Sequence, residues 1–265
     1  MKIRNKVERA ISNQDGLLLM ELLIVIMIMG LLITGGVKTW DATVQQSRVN
    51  QTLKEMDQLS YAIAGNPELY NEGRRTDFGY VGDMGALPQT LQDLVDRPTG
   101  AVMWRGPYIR SKFTENPQDY MQDGWGNNYY YNRDSLTIRS YTTGSVTTPL
   151  TWITKKIPYS PNSLLRNTVK GNIKDILNNL PDSNNVKIRV SIKYSLNGDT
   201  WTSSTWPDMT GYYQIADIPQ GNHQMWCAYD STPSTTDTTD FVEKYACIYP
   251  GIDNIIDFRL TVSFP

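Results

Sequence analysis

One carboxylate stands where carboxylates are costly. Residues 17–33 read LLLMELLIVIMIMGLLI, and Glu21 is the only charge in the run. A charge in a bilayer interior costs on the order of 2.5–3.5 kcal/mol even on mild insertion scales, so Glu21 calls for a partner. Two readings are open. Glu21 snorkels or is protonated near a helix end, or it meets a positive group generated at the same depth. Cleavage after Gly16 would generate one, a new α-amino group at Leu17, four residues from Glu21. Other chemistry is scarce. His223 is the single histidine, so a Ser-His-Asp triad or a multi-histidine metal site would have to be built around it alone. Two cysteines, Cys227 and Cys247, cannot make a four-cysteine zinc site. With no nucleophile–base pair and no carboxylate cluster, the expectation is no enzyme, no catalytic residue and no metal site.

The elements that hold Glu21 follow from the flanking sequence. Lys2, Arg4, Lys6 and Arg9 precede the apolar run, which places the N-terminus in the cytoplasm and everything after residue 34 outside. As a helix the run is about 25 Å long, close to the ~30 Å hydrocarbon core, and no second run of that length follows. One membrane span with a large outer region is expected. Gly35-Gly36 resembles a secretory cleavage site, but bulky Ile33 and Thr34 precede it. Beyond it Val37, Trp40, Val44, Leu53, Met56, Leu59 and Ile63 recur at mostly three- and four-residue steps, marking a helix with one buried stripe. Gly65-Asn66-Pro67 should end it. Gly30, Gly35 and Gly36 weaken the helix by about 1 kcal/mol each relative to alanine, so local unwinding at 30–36 is expected in an assembled filament.

Asp15-Gly16-Leu17-Leu18-Leu19-Met20-Glu21 and the apolar run after it resemble the class III signal of type IV pilins and type II secretion pseudopilins. The resemblance implies that a prepilin peptidase cuts after Gly16 and methylates the new Leu17 amine. It also implies that Glu21 sits beside the N-terminus of a neighbouring subunit during assembly. Leu17 and Leu18 depart from the residues most often found there.

Residues 67–148 are rich in turn signals and aromatics. A proline-started short helix is expected at 87–95, and a turn at 123–128 enters a strand whose hairpin partner is 136–141. Aromatics interleaved with Gly and Asn suit a sugar-binding platform, but more often form the core of a small sheet. The order of the landmarks, Leu87-Pro88, Arg97-Pro98, Trp104-Arg105-Gly106-Pro107-Tyr108 and Asp123-Gly124-Trp125-Gly126, resembles the major pseudopilin of type II secretion. That family commonly holds calcium in an acidic loop after the last strand. Here residues 140–148 read SYTTGSVTT, without a carboxylate. A calcium site needs six or more oxygens, usually carboxylates among them, so no cofactor is expected although calcium is possible by resemblance.

Residues 149–163 carry prolines and lysines without periodicity and read as a linker. Strands are expected at 168–174, 186–194, 201–203, 212–215, 223–229, 242–248 and 255–263, which suggests an antiparallel β-sandwich. The tyrosine strand running into Ile218-Pro219-Gln220-Gly221 resembles a carboxypeptidase-regulatory or transthyretin-like fold, implying an accessory binding role. Cys227 and Cys247 fall on neighbouring strands outside the membrane, where a disulfide is the expectation and two free thiols the alternative.

The whole reads as α+β: a leader (1–16), an N-terminal helix (17–64), a pseudopilin head (65–148), a linker (149–163) and a β-sandwich (164–265). The function expected is that of a structural subunit of a type II secretion pseudopilus or type IV pilus-like filament. Its partners would be copies of itself, prepilin peptidase, minor pseudopilins, an inner-membrane assembly platform, and the membrane before assembly. The location expected is the bacterial inner membrane, single-pass, with a periplasmic or extracellular head. The alternative is a minor pilin or surface adhesin whose sandwich binds a protein or carbohydrate. Near-balanced charge, 25 Lys+Arg against 27 Asp+Glu, argues against nucleic acid.

Overall fold

The structure is a computed structural model that describes residues 4–109, 119–144, 147, 151–231 and 238–265, with side chains at 4–18, 34–36, 38 and 119 outside the description. It divides into two compact units, Met1–Gln51 and Thr52–Pro265. Helix α1 (Arg4–Ala64) supplies the first unit and the start of the second. It is continuous through Gly30, Gly35 and Gly36 in the single chain. It ends where the sequence predicts, because Gly65 adopts φ +77 and donates its N–H to the Tyr61 carbonyl.

In the second unit the end of α1 buries Met56, Leu59 and Ile63, three members of the expected stripe. Leu53 departs from it and is 41% exposed, while neighbouring Thr52 is fully buried. The reason is local: the Thr52 hydroxyl accepts a hydrogen bond from Gly124 N–H at 2.9 Å. The hairpin β1 (Tyr70–Asn71) and β2 (Arg74–Arg75) follows, then the short helix α2 (Gly79–Met84). A single 3₁₀ turn, Leu91–Leu94, occupies the place of the expected 87–95 helix. Thr90 and Asp93 cap it reciprocally, and the turn ends after four residues.

The head sheet has three antiparallel strands, β3 (Tyr130–Asn132), β4 (Thr137–Ser140) and β5 (Ile153–Lys156). The last lies in the segment expected to be a linker. It pairs in register with β4 from Thr137↔Lys156 to Ser140↔Ile153, and Ile157 beyond it is fully buried in the head core. Lys155 reaches Asp57 on α1 at 2.5 Å. A strand with a single apolar side chain has no alternation to betray it, which is why its sequence passes for a linker. Helix α3 (Pro161–Leu165) completes the segment, capped reciprocally by Ser160 and Ser163.

The rest is a β-sandwich. One sheet, in the order β11-β10-β7-β8, is antiparallel: β7 (Ile188–Leu196), β8 (Asp199–Thr205), β10 (Gly221–Tyr229) and β11 (Asp240–Ile248). The other is built on β6 (Asn167–Lys174), flanked by antiparallel β9 (Tyr212–Ile218) and by β12 (Asn254–Ile255) and β13 (Phe258–Arg259), both parallel to β6. The sandwich is therefore mixed where an antiparallel one is expected. After β11 the chain crosses from one sheet to the other and runs alongside β6 in the same direction. Alternate residues of both sheets, among them Val169, Ile173, Val190, Ile192, Tyr213, Met225 and Ile248, share one core.

Candidate functional site

Two regions carry the functional expectations, and each belongs to one unit. In the first, every large apolar side chain from Leu19 to Ile33 is at least 44% exposed. Glu21 lies within that surface and is itself exposed. Globular helices normally show an apolar stripe against a polar face; one that is apolar all round is stable in water only when something else covers it. Among the described residues no helix is long and apolar enough to cross a membrane. The described part of the run, 19–33, measures about 22 Å. The expected cleavage point, Gly16-Leu17, falls on residues whose side chains lie outside the described ones.

In the second unit the turn after 122 organises the head. Asp123 Oδ1 accepts from the backbone N–H groups of Trp125 and Asn127, at 3.0 and 2.9 Å. This is the short-range bonding that makes aspartate a turn residue. Its Oδ2 accepts from the Ser140 hydroxyl at 2.5 Å, and that hydroxyl accepts in turn from Thr142 N–H. The Asn127 amide donates to the Thr142 carbonyl, and the Thr142 hydroxyl donates to the Thr151 carbonyl beside β5. Tyr129 then donates to Glu55 on α1 at 2.8 Å; burial and that carboxylate push the phenol well above its usual range.

The resemblance places calcium in the loop after the last strand, residues 140–148, which carries no carboxylate. Both Asp123 oxygens and the Thr142 carbonyl are taken by protein donors. Among the described residues no group of three or more His, Cys, Asp or Glu side chains could hold a metal. Residues 145, 146 and 148 of that loop lie outside the description.

The head and sandwich meet through backbone groups. Gln220, fully buried at the β9–β10 turn, donates from Nε2 to the carbonyls of Ala64, at 2.9 Å, and Phe78, at 3.0 Å. Arg75 Nη2 donates to the same Ala64 carbonyl at 2.7 Å, and its guanidinium lies 4.8 Å over the Phe78 ring. Helix α1 thus has its last carbonyl capped by two side chains, one of them 156 residues downstream. Gly85, at φ +60, has the Ser195 carbonyl oxygen where a Cβ would stand. Nothing in the sequence marks Arg75 for this role; Gln220 is flagged only as part of the Pro219-Gln220-Gly221 turn.

The remaining candidates fall elsewhere. His223 is buried, with Nε2 donating to the Pro219 carbonyl at 2.8 Å; burial lowers its pKa to about 4. Cys227 and Cys247 are free thiols. In the β10–β11 ladder Cys227 faces Val242 and Cys247 faces Asn222. The two are five rungs apart, roughly 17 Å, and an odd separation puts them on opposite faces of the sheet. No disulfide spans that, so the expected bridge is corrected to two thiols.

Comparison with known proteins bears on the head. Residues 79–146 match the family model of the type II secretion system protein G. The match supports a pseudopilin role in type II secretion. It covers α2, the Leu91–Leu94 turn, the Asp123 corner and the β3–β4 hairpin, and stops short of β5 and the sandwich. No curated protein matches the chain. Among solved structures, one similar chain is the dioxygenase domain of a novel dioxygenase carbohydrate-binding protein fusion from the cellulolytic bacterium Streptomyces sp. SirexAA-E. It is 12% identical and the match covers 37% of this chain and 81% of that one, at a TM-score of 0.26, an overlap too poor to carry an argument.

Proposed function

We propose that the chain is a structural subunit of a pseudopilin-type filament serving protein secretion, processed after Gly16 and assembled through its N-terminal helix. The observation that carries this is the union of a type II secretion protein G head with an apolar surface at 19–33 broken only by Glu21. Lipid tails are as apolar as leucine, so such a helix gains little from lipid alone; its use lies in packing against copies of itself. Contacts that do not close on themselves propagate as a helical filament. Within it, Glu21 of one subunit neutralises the Leu17 amine of another and fixes the axial register.

Before assembly the apolar run 17–33 resides in the inner membrane, with the basic flank inside and the head on the periplasmic side. The partners are further copies of the chain, prepilin peptidase, minor pseudopilins and an inner-membrane platform. The role is non-enzymatic: the single histidine is buried against a backbone carbonyl. No cofactor enters the proposal, since residues 140–148 carry no carboxylate.

Intact mass after co-expression with a prepilin peptidase tests the reading. Loss of residues 1–16 with a methyl group on Leu17, abolished by Gly16→Ala, is the expected result. A chain that keeps its leader, or is cut after Gly36, would overturn it.

A further inference from the structure

A polar cleft of about 560 Å³ opens between the head and the outer face of the β11-β10-β7-β8 sheet, within the size range of small-ligand sites. The head contributes Asp83, Arg105 and Tyr108; the sheet contributes Lys193, Gln224 and Tyr245. Its two walls are held apart at a fixed spacing by backbone contacts. Gly198 N–H donates to the Met84 carbonyl at 2.8 Å, and Met103 N–H to the Gly198 carbonyl at 2.9 Å.

The groups in the cleft define a chemistry. Asp83 Oδ2 accepts from the Tyr108 hydroxyl at 2.9 Å, and that hydroxyl accepts from Arg105 N–H. Asp83 Oδ1 lies 3.9 Å from the Arg105 guanidinium, beyond hydrogen-bond reach. Burial raises the pKa of this carboxyl, as it does for an acceptor short of donors. Asp77, also lining the cleft, is spent on the backbone N–H groups of Asn66 and Gly79. On the opposite wall Gln224 Nε2 donates to Glu243, which leaves its carbonyl oxygen as an acceptor. Tyr245 stands at the rim with its side chain 59% exposed.

Lysine and arginine on the lining are matched by two aspartates, so the cleft has no net pull for a phosphate or a polyanion. It is too polar for an apolar ligand. Hydroxyl donors for Asp83 and Gln224, acceptors for Lys193 and Arg105, and a ring face for Tyr245 are supplied together by a chain of sugar rings. We propose that this cleft is a binding site for a neutral oligosaccharide, framed jointly by the head and the sandwich. The proposal does not rest on the filament reading, and leader processing is scored separately from it.

The test is isothermal titration of the full chain, in a zwitterionic detergent without a sugar head group, with cellohexaose, maltohexaose and chitohexaose. At least one should bind with a Kd on the order of a millimolar or tighter, and Tyr245→Ala should weaken it about tenfold. Tyr245 is exposed, so that variant keeps its fold. Asp83→Asn, which retains an acceptor for Tyr108, should weaken binding by a smaller factor. Trp201→Ala, on β8 and outside the lining, should bind as the parent does. The proposal is overturned if none of the three binds at about 10 mM, if Tyr245→Ala binds as tightly as the parent, or if only a polyuronate or a peptide binds.

Discussion

His223 makes a proton-linked contribution to stability that can be measured by itself. Its surroundings are the Tyr194 ring, 6.3 Å between centroids, and the Pro219 carbonyl; neither is a carboxylate that could welcome a charge. An unfolded histidine titrates near 6.5 and this one at about 4. Between those values the unfolded chain binds a proton that the native chain refuses. Stability from this site is therefore whole above pH 6.5 and drains away as the pH falls towards 4, by on the order of 3 kcal/mol. Urea unfolding at pH 7 and pH 4.5 should show the loss, and His223→Gln should flatten the slope between them. The thiols are distinguished in the same way. Burial pushes Cys227 up to about 12, whereas Cys247 is only partly covered. A thiol reagent at pH 8 should modify Cys247 in the native chain and Cys227 only after unfolding, and reductant should leave the melting temperature unchanged. Both cysteines sit on strands that the alternation of residues reveals. Their separation along the ladder depends on the register of β10 against β11, and register is not written in alternation.

At the scale of elements, the junction between head and sandwich rests on a few backbone approaches. A methyl group at Gly85 would overlap the Ser195 carbonyl oxygen in a left-handed backbone conformation. Gly85→Ala should therefore cost more than about 3 kcal/mol, read as a lowered urea midpoint. Gln220→Leu removes a donor from two buried carbonyls, although Arg75 still serves Ala64. A loss of about 1–3 kcal/mol is expected from the same measurement. By contrast, Asp57→Ala breaks a half-exposed ion pair with Lys155 and should cost under about 1 kcal/mol. The sandwich strands are legible because alternation and turn residues such as Asn197-Gly198 announce them. Strand β5 is not, since its place is set by the open edge of β4, and the junction is not, since its partners lie far apart in the chain.

For the second unit as a whole, the sandwich completes the head rather than hanging from it. Leu164 closes the head core, and its carbonyl accepts from Gln220 N–H at 2.8 Å. A chain ending at residue 160 would lose Leu164, the Gln220 cap and the seat of Gly85 together. Its head should melt well below the parent and without a sharp transition, by differential scanning calorimetry. The type II secretion protein G match ends at residue 146, yet the head's third strand and the core residue Leu164 lie beyond that point. An addition of this kind is legible as a second domain. That it supplies Leu164 to the head core and a cap to α1 is visible only when the contacts are in place.

The cap on Ala64 also decides where force goes. Tension drawn along α1 meets the head at Thr52, Glu55 and Asp57, and what reaches its last carbonyl has two routes onward: the covalent chain through Gly65, and the side chains of Arg75 and Gln220. The second route bypasses 156 residues of backbone and delivers load straight to the β9–β10 turn, anchored in the sandwich core. A chain pulled by its helix is thus held by the head at Thr52, Glu55 and Asp57 and by its last domain at Ala64.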